Sequence, residues 1–387
     1  MSFDVVIVGS GVVGGTLALA LAAAGEQVAL VDPGTGRAAR PETVDLRVYA
    51  LRPSSIEFLR RCGLWSRLDQ VRIAPVYEMA VFGDDGASAL SFDAYRSGVG
   101  ELAAIVEDWN LQAALFDCVQ EQPLITRFAG RRCAGMHRDD KAAVVELDDA
   151  RKIHAKLAVA ADGAQSQLRE LAGLEVSSKE YGQQGVVANF RTSQPHRGTA
   201  FQWFRDDGVL ALLPLPDDQV SMVWSTSEAH ASELLALTPA ARAQKVTEAS
   251  GARLGVLDGL GAAAAFALRR MRASSIVGPR VALVGDAAHN VHPLAGQGLN
   301  LGLADAQSLA EILTARAPGE DPGSRAVLAR YRRARAEDIA AMEFTTDGLQ
   351  RLFASKLPGA AWLRNTGLRL TNGILPLKRA LVKRATG

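Results

Sequence analysis

A glycine-rich turn near the N-terminus is the feature that most constrains the fold of this chain. Residues 9–14 read Gly-Ser-Gly-Val-Val-Gly and lie between an apolar strand-like run, Val5–Val8, and a run of helical period, Val12–Ala24. A second strand-like run, Val28–Val31, leads to Asp32. Strand, glycine turn, helix and strand in this order predict a βαβ unit at the start of a mostly parallel sheet.

The same turn is suited to a dinucleotide. Gly9, Gly11 and Gly14 permit a tight turn, a close backbone approach to a pyrophosphate and close helix packing, and the helix N-terminus attracts the negative charge. Asp32, 18 positions after Gly14, is placed to accept hydrogen bonds from both hydroxyls of an adenosine ribose and would repel the extra phosphate of NADP. A turn that serves packing alone is the alternative, and the motif does not distinguish FAD from NAD.

The composition excludes several classes of protein. With 387 residues, 48% hydrophobic and 22% charged, the chain suits one large or two ordinary domains, and not a disordered chain, a collagen or a coiled coil. A formal net charge of +1 argues against a nucleic-acid partner, which requires a basic face.

The uncharged stretch from Val5 to Gly25 contains five glycines, which favours the nucleotide-binding turn over a membrane span. Three widely spaced cysteines indicate a reducing compartment, the cytoplasm.

The middle of the chain differs from its ends. Strand-like runs between Pro-, Gly- and Asp-rich turns indicate an antiparallel sheet, with runs at Val186–Phe190, Ala200–Phe204, Val209–Leu213 and Val220–Trp224. A helical stretch at 231–254 follows, and the pattern then returns to a strand at Val281–Val284, a loop and a helix at Leu299–Leu313. The chain therefore leaves a first domain and enters it again.

The second loop favours FAD over NAD. The strand at Val281–Val284 stops at Gly285-Asp286, and a loop leads to a helix that begins near Gly298 and Leu299. An extended FAD needs an acceptor for its ribityl hydroxyls, which Asp286 would supply, and backbone N–H groups at the flavin edge where reduction leaves negative charge. The alternative is an ordinary strand, turn and helix with Asp286 as the N-cap.

Four stretches resemble the FAD-dependent aromatic hydroxylases, the class A flavin monooxygenases, and most closely their ubiquinone-biosynthesis branch. They are Val6–Asp32, Asp45–Leu51 running on to Trp65, Ala161–Ser166 with Arg169, and Gly285–Asp305. The stretch from Phe201 to Ser225 is similar to the substrate sheet of that branch. The resemblance implies an α/β fold with a discontinuous Rossmann-like FAD-binding domain (1–75, 101–175 and 270–347), an inserted antiparallel-sheet substrate domain (76–100 and 176–269) and a basic amphipathic helical C-terminal region (348–387).

The resemblance also implies which residues bind the cofactor. Arg47 and Gln112 would touch FAD, Asp162 would lie near the pyrophosphate, and residues 293–300 would line the flavin ring. The full candidate set is Gly9, Gly11, Gly14, Asp32, Arg47, Gln112, Asp162, Asp286, Pro293, Gly296, Gln297, Gly298, Leu299 and Asn300. The sequence departs from the family pattern at three positions: Asp32 where Glu is usual, Arg52 where Ser is usual and Asn110 where Arg is often found. These departures bear on local contacts with the nucleotide rather than on the fold.

The family's chemistry implies an activity. NADH or NADPH, as a transient co-substrate, would reduce FAD, and O₂ would then give a flavin hydroperoxide that hydroxylates the aromatic ring of a polyprenylated phenol in ubiquinone biosynthesis. The cofactor carries this chemistry, so no catalytic side chain is assigned and no metal is expected; His289 and His292 lack the partners of a metal site. The alternatives are hydroxylation of a small soluble phenol, a simple dehydrogenase, and a non-catalytic flavin-fold scaffold in a biosynthetic complex.

Five residues of the predicted substrate sheet are candidates for an apolar wall that faces the flavin. They are Trp203, Phe204, Leu213, Pro214 and Trp224. Such a wall would hold the ring and exclude water. The alternative for each residue is an ordinary core position.

Charge is distributed unevenly along the chain. From Gly348 to the end the basic residues have no acidic residue to offset them, and Leu, Ile, Val, Phe and Trp lie between them. Short amphipathic helices with a cationic rim lie well on anionic lipid, whereas the alternative is a helical lid packed on its own domain. A polyprenylated phenol dissolves in membrane, so contact of residues 348–387 with the inner face of the membrane is a hypothesis beside the packed lid, and other ubiquinone-biosynthesis proteins are further candidate partners.

Overall fold

The computed structural model describes residues 2–84, 88–290 and 298–354, with side chains described up to residue 340. In this part of the chain the strands are β1 (Ser2–Val8), β2 (Val28–Asp32), β3 (Val48–Leu51), β4 (Ala74–Val76), β5 (Glu78–Phe82), β6 (Ala89–Asp93), β7 (Ala103–Glu107), β8 (Ile125–Ala129), β9 (Cys133–Arg138), β10 (Ala143–Leu147), β11 (Lys152–Ala160), β12 (Val176–Thr192), β13 (Thr199–Arg205), β14 (Gly208–Leu215), β15 (Gln219–Ser227), β16 (Leu257–Gly259), β17 (Ala264–Ala273), β18 (Val277–Gly278), β19 (Val281–Leu283) and β20 (His289–Asn290). The α-helices are α1 (Val12–Ala23), α2 (Pro53–Arg61), α3 (Ala94–Ser97), α4 (Asp108–Glu121), α5 (Gln167–Leu171), α6 (Glu228–Ala236), α7 (Pro239–Ala249), α8 (Gly298–Thr314) and α9 (Arg325–Ala354).

The first sheet has a parallel centre. Its order is β18-β19-β11-β1-β2-β8, and β10 and β9 continue from β11. The pairs from β19 to β8 along this order are parallel. Val5, Ile7 and Leu30 are fully buried or nearly so, because a parallel sheet is covered on both faces. Helices α1, α4, α8 and α9 supply the apolar core on one of those faces.

The second sheet is antiparallel except for one pair. Its order is β20-β17-β12-β15-β14-β13-β5-β6, with β16 beside β12, and only β13 and β5 run parallel among its described strands. One face packs under α6 and α7, where Trp224, Leu234 and Val246 share a core. The helical stretch predicted at 231–254 is divided in two. Thr238 caps α7 and Pro239 occupies its first position, and a proline there lacks the N–H that would continue α6.

A third, three-stranded sheet connects the two larger ones. Its order is β3-β7-β4, and its Ala74 and Ile105 pack in one apolar cluster with Ala200 and Leu215 of the second sheet. On its other side, Asn300 of α8 donates a hydrogen bond to the carbonyl of Ala50 in β3. The predicted α/β fold, with a Rossmann-like unit and an antiparallel sheet, is confirmed; the domain boundaries stay a prediction.

The C-terminal region is described only in part. Helix α9 runs to Ala354, and residues 355–387, which hold most of the predicted basic segment, lie outside the described residues. Of the helices in the described ranges, none combines the length and the apolar character that crossing a membrane requires.

Candidate active site

Four of the predicted cofactor residues meet at one edge of the first sheet. Gly9 follows β1, Asp32 ends β2, Asp162 follows β11 and Asp286 follows β19. These strands are parallel neighbours in the order β19-β11-β1-β2. The carboxyl ends of parallel strands share one edge, with neighbouring strands about 4.8 Å apart. The glycine turn and the Gly285-Asp286 turn, remote in sequence, therefore lie at the same edge of the sheet, and the strand between them, β11, carries the Asp162 segment.

The three glycines of the first turn have different roles. Gly9 has a φ of +106°, and a Cβ there would lie 2.2 Å from the carbonyl oxygen of Ala161. A Cβ at Gly14 would lie 2.1 Å from the carbonyl oxygen of Gly9, so both positions require glycine for the fold itself.

Gly11 has no such reason to be glycine. Its backbone is in an ordinary extended conformation, with φ −61° and ψ 178°, and a Cβ there would meet no atom within 4 Å. Gly11 is also the N-cap of α1 and offers no side chain to cap it. The bare backbone at a helix N-terminus leaves space and N–H groups for a phosphate, so the turn fits the pyrophosphate of a dinucleotide.

Asp32 fixes the shape of this turn. Its Oδ2 accepts a hydrogen bond from the Ser10 N–H at 2.7 Å, and its Oδ1 accepts one from the Gly34 N–H at 2.7 Å. Each oxygen of a carboxylate has two acceptor positions. One on each therefore remains for a ribose hydroxyl, and the shorter reach of Asp, compared with Glu, is compatible with that role.

Asp162 and the Asp286 turn are tied together by a buried arginine. Asp162 accepts hydrogen bonds from the Ser166 hydroxyl and from the Leu168 N–H at the start of α5. Arg169, 3% exposed, donates from Nη1 to the carbonyls of Ala164 and Ala287, both at 3.1 Å. The Asp-Gly segment after β11 and the turn after β19 are thus held at a fixed spacing.

Arg47 faces the Asp286 turn beside an aromatic ring. Its guanidinium lies 5.5 Å from the ring centroid of Tyr49, and the Tyr49 hydroxyl donates to Asp108 at 3.0 Å. Burial acts to lower the pKa of Arg47, but the charges of Tyr49, Asp108 and Asp286 raise it overall. The Asp286 carboxyl is open to solvent but closely surrounded by protein, and this desolvation raises its pKa, against the charges of His289 and Arg47. Arg47 therefore places a positive charge near enough to the Asp286 carboxyl to favour its ionised form.

The segment that presents Arg47 is held from three directions. Glu107, 1% exposed, accepts the Asp45 N–H at 2.7 Å and the Arg72 guanidinium through both oxygens at 2.7 Å. Asp45 in turn accepts the Arg47 N–H at 3.0 Å. Asn189 of β12 donates from Nδ2 to the carbonyls of residues 44 and 45, at 2.9 and 3.2 Å. Glu107 and Asn189 are not among the residues predicted from the sequence, where their signal is a carboxylate and an amide within apolar strand runs.

The second loop enters α8 at residues Gly298, Leu299 and Asn300. Asn300, 5% exposed, donates to the Ala50 carbonyl at 2.8 Å and accepts the Arg52 N–H at 3.0 Å. This places the start of α8 against the segment that carries Arg47. Pro293, Gly296 and Gln297, with His292, lie outside the described residues.

The remaining cofactor candidate, Gln112, and one of the three departures, Asn110, lie on α4, and a second departure, Arg52, directly precedes α2. Gln112 is half-buried on α4, which packs against α1. Asn110, on the same helix, does not point toward a nucleotide site: it accepts the Asp69 N–H at 2.9 Å and donates to the Asp69 carbonyl at 3.1 Å. Arg52 is the N-cap of α2, and burial and then the charge of Arg335 lower its pKa. The two hydrogen bonds of Asn110 hold the backbone at Asp69 in place.

The five candidate lining residues are divided between the two faces of the second sheet. Trp224 is fully buried in the cluster under α6 and α7, Trp203 packs against that cluster, and Pro214 pairs with Val220 of the same cluster. Phe204 lies in a separate core with Val81 and Leu90. Leu213 packs in the cluster that joins the second sheet to the third. Of the five, only Leu213 borders the elements that carry Arg47, and core packing accounts for the other four.

Within the described residues, no three His, Cys, Asp or Glu side chains are grouped so as to hold a metal ion. The arrangement is instead that of a dinucleotide site: a glycine turn with free space above it, acceptors at Asp32 and Asp286, and a cation at Arg47. These residues fit an extended FAD whose adenosine end lies at the glycine turn and whose flavin end lies at the start of α8.

The comparisons with known proteins agree with this geometry. Residues 2–345 match the family described as FAD binding domain. The chain is 36% identical over 386 residues to ubiquinone hydroxylase UbiL of Rhodospirillum rubrum, with 99% of this chain and 89% of that protein covered. It is 34% identical over 386 residues to 3-demethoxyubiquinol 3-hydroxylase of Escherichia coli, with 99% and 98% covered.

A solved structure shows the same fold. The chain superposes on p-nitrophenol 4-monooxygenase PnpA of Pseudomonas putida with a TM-score of 0.79 at 20% identity, covering 100% of this chain and 99% of that one. The family match spans the glycine turn, the Asp162 segment and the Asp286 turn. The chain therefore belongs to the FAD binding domain family and, within it, to the FAD-dependent aromatic hydroxylases of the ubiquinone-biosynthesis branch.

Proposed function

We propose that this protein is a monooxygenase that hydroxylates the aromatic ring of a polyprenylated phenol in ubiquinone biosynthesis, with FAD as cofactor, NADH or NADPH as reductant and O₂ as oxidant. The observation that carries the proposal is the likeness over nearly the whole chain to ubiquinone hydroxylase UbiL and to 3-demethoxyubiquinol 3-hydroxylase. The convergence of the two loops at one sheet edge supports it, because the cofactor needs both.

The residues at this edge have separate tasks toward the cofactor. The Gly11 backbone and the N-terminus of α1 would receive the pyrophosphate, Asp32 the adenosine ribose and Asp286 the ribityl chain. When bound, FAD supplies hydride acceptance and oxygen activation. Arg47 would hold positive charge near the flavin end, where reduction leaves negative charge.

The protein's part in the reaction is to position the substrate and to exclude water. The Leu213 face of the second sheet and the apolar cluster around Ile105 and Val48 would keep the site dry. Glu107 and Asn189 fix the backbone between residues 44 and 47, so that Arg47 is held in place before the substrate arrives. No described side chain is needed as a general acid or base.

The test is oxygen incorporation. The FAD-loaded protein is incubated with a prenylated phenol in detergent micelles, with NADH or NADPH and isotopically labelled O₂, and the product mass is measured. We expect a product heavier by one labelled oxygen atom and oxidation of the reductant that the substrate stimulates.

The other outcomes identify the alternatives. Turnover of water-soluble phenols but not of prenylated ones would indicate a soluble substrate. Reductant oxidation that does not consume oxygen would indicate a dehydrogenase. Absence of any substrate-stimulated oxidation in a protein that retains FAD would indicate a scaffold.

We also propose that the basic C-terminal segment touches an anionic membrane. The support is its sequence, in which Lys378, Arg379, Lys383 and Arg384 lie among apolar residues, and the membrane solubility of the substrate class. Changing these four residues to Gln in the full chain should reduce sedimentation with anionic vesicles. Changing the exposed Arg332 and Arg333 of α9 to Gln is the matched control; equal losses in both variants, or none in either, would contradict the proposal.

A further inference from the structure

A buried carboxylate on α8 connects three elements around the cofactor edge. Asp305 is fully buried. Its Oδ2 accepts the Gly285 N–H at 3.0 Å and lies 2.7 Å from Nε2 of His289, and its Oδ1 accepts Nε of Arg335 at 2.8 Å. His289 and Arg335 are each 3% exposed. This is an ionic cluster almost without access to solvent.

Two of these contacts lie on either side of Asp286. Gly285 and His289 are the first and last residues of the five-residue segment that contains it, and one carboxylate oxygen holds both ends. The segment has little other freedom, because a Cβ built at Gly302 of α8 would lie 3.0 Å from the Gly285 Cα. A displaced Asp305 would therefore displace Asp286.

The third contact comes from outside the sheet. Arg335 belongs to α9 and also donates to Asp338 one turn later. Burial alone would raise the pKa of Asp305, but His289 and Arg335 hold it below the usual range. Removing one partner of a buried ion pair leaves charge uncompensated, so loss of Arg335 would leave Asp305 Oδ1 without its 2.8 Å donor and the carboxylate with His289 as its remaining charged partner.

We propose that Arg335 is a remote positioning residue for the flavin: through Asp305 it sets the geometry of the turn that carries Asp286, so that the seating of α9 and the affinity for FAD are coupled. The side chain of Arg335 contacts Asp305 and Asp338, and in this proposal its effect on the cofactor passes through Asp305. Because coupling between two sites is reciprocal, FAD must stabilise the seating of α9 to the same extent that α9 stabilises FAD.

The first test compares FAD affinity in two variants of one helix. Apoprotein carrying Arg335→Met is titrated with FAD, and binding is followed by quenching of flavin fluorescence below the unfolding temperature. We expect the dissociation constant to rise roughly ten-fold or more, within the usual range of coupling between sites. Arg335→Lys, which keeps the charge, should give a smaller rise, and Arg333→Met, at an exposed position of α9, should give none.

If Arg335 has a purely structural role, the FAD titration should give a different result. In that case Arg335→Met lowers the unfolding temperature of the apoprotein but leaves the FAD dissociation constant within about two-fold of the wild type, well below the usual coupling range. That result would overturn the proposal.

The second test needs no variant and holds even if Arg335→Met does not fold. Hydrogen exchange of the wild-type protein is measured with and without FAD. We expect FAD to slow exchange in residues 325–340 of α9 as well as in residues 285–289. Protection confined to the segments that contact the cofactor, with α9 unchanged, would overturn the proposal.

Discussion

Asn300, in the first turn of α8, makes two hydrogen bonds with backbone that lies about 250 positions earlier in the chain. Its Nδ2 donates to the Ala50 carbonyl at 2.8 Å, and its Oδ1 accepts the Arg52 N–H at 3.0 Å. One amide thus joins the loop that follows β19 to the segment that presents Arg47. The flavin end of the site is therefore assembled from two regions, one in the first third of the chain and one in the last, and neither could form it alone.

Replacing Asn300 by Ala should affect both the fold and the cofactor. The Ala50 carbonyl and the Arg52 N–H would lose their partner, which costs about 2 kcal/mol of unfolding free energy, and FAD affinity should fall because the start of α8 is released. Urea unfolding and FAD titration measure the two effects. Gln307→Ala, which removes an exposed contact with Glu311 on the same helix, is the control. Unchanged FAD affinity in Asn300→Ala would contradict the assignment.

Two substitutions in the glycine turn should separate an effect on apoprotein stability from an effect on FAD affinity. Gly9→Ala should destabilise the apoprotein by about 2 kcal/mol or more, because the position has positive φ and no room for a methyl group. Gly11→Ala should change apoprotein stability by less than about 1 kcal/mol, since the Cβ meets open space.

The effect of Gly11→Ala should instead appear in FAD binding. Gly11→Ala should weaken FAD binding in a normally folded protein, because the methyl group occupies the space that the pyrophosphate needs. A Gly11→Ala protein that binds FAD as tightly as the wild type would show that the pyrophosphate lies elsewhere.

The His289 and Asp305 pair predicts a pH dependence of stability. Burial acts to lower the pKa of His289, but Asp305 raises it overall above the ordinary 6.5. A raised folded-state pKa contributes stability that is fully present below the unfolded pKa and is lost as pH rises through the folded one. As pH rises above the ordinary histidine pKa, the wild-type apoprotein should therefore lose unfolding free energy relative to His289→Gln. Parallel pH profiles for the two proteins would contradict this.

Arg47 predicts a pH dependence of cofactor binding. Its charge is one of two that lower the pKa of Asp286 against desolvation, so Arg47→Gln should raise that pKa further. FAD binding should then weaken on acidification at a higher pH in Arg47→Gln than in the wild type. In Asp286→Asn the dependence should disappear, and its persistence there would assign it to another group.

The first βαβ unit could be predicted from the sequence, although β1 begins at Ser2, three residues before the predicted run. The predicted helix Val12–Ala24 is observed as Val12–Ala23, because strand, turn and helix signals there are local and agree with one another. The division of the stretch at 231–254 was also encoded locally, in Thr238 and Pro239.

Other features depend on contacts that no local pattern contains. Strand alternation shows that Leu213 and Trp224 are in strands, but it does not show which face α6 and α7 cover. Only the packed structure assigns Trp224 to the core and Leu213 to the junction with the third sheet. The contact of Asp305 with Arg335 spans 30 positions and two helices, and in the sequence both read as polar residues in amphipathic runs.

A crystal structure of the FAD-bound protein will show whether both loops hold the cofactor. We expect one extended FAD with its ribose within hydrogen-bond distance of Asp32, its pyrophosphate over Gly11, its ribityl chain at Asp286 and its ring beside residues 298–300. An FAD that contacts the glycine turn but leaves Asp286 and the start of α8 without contact would contradict it.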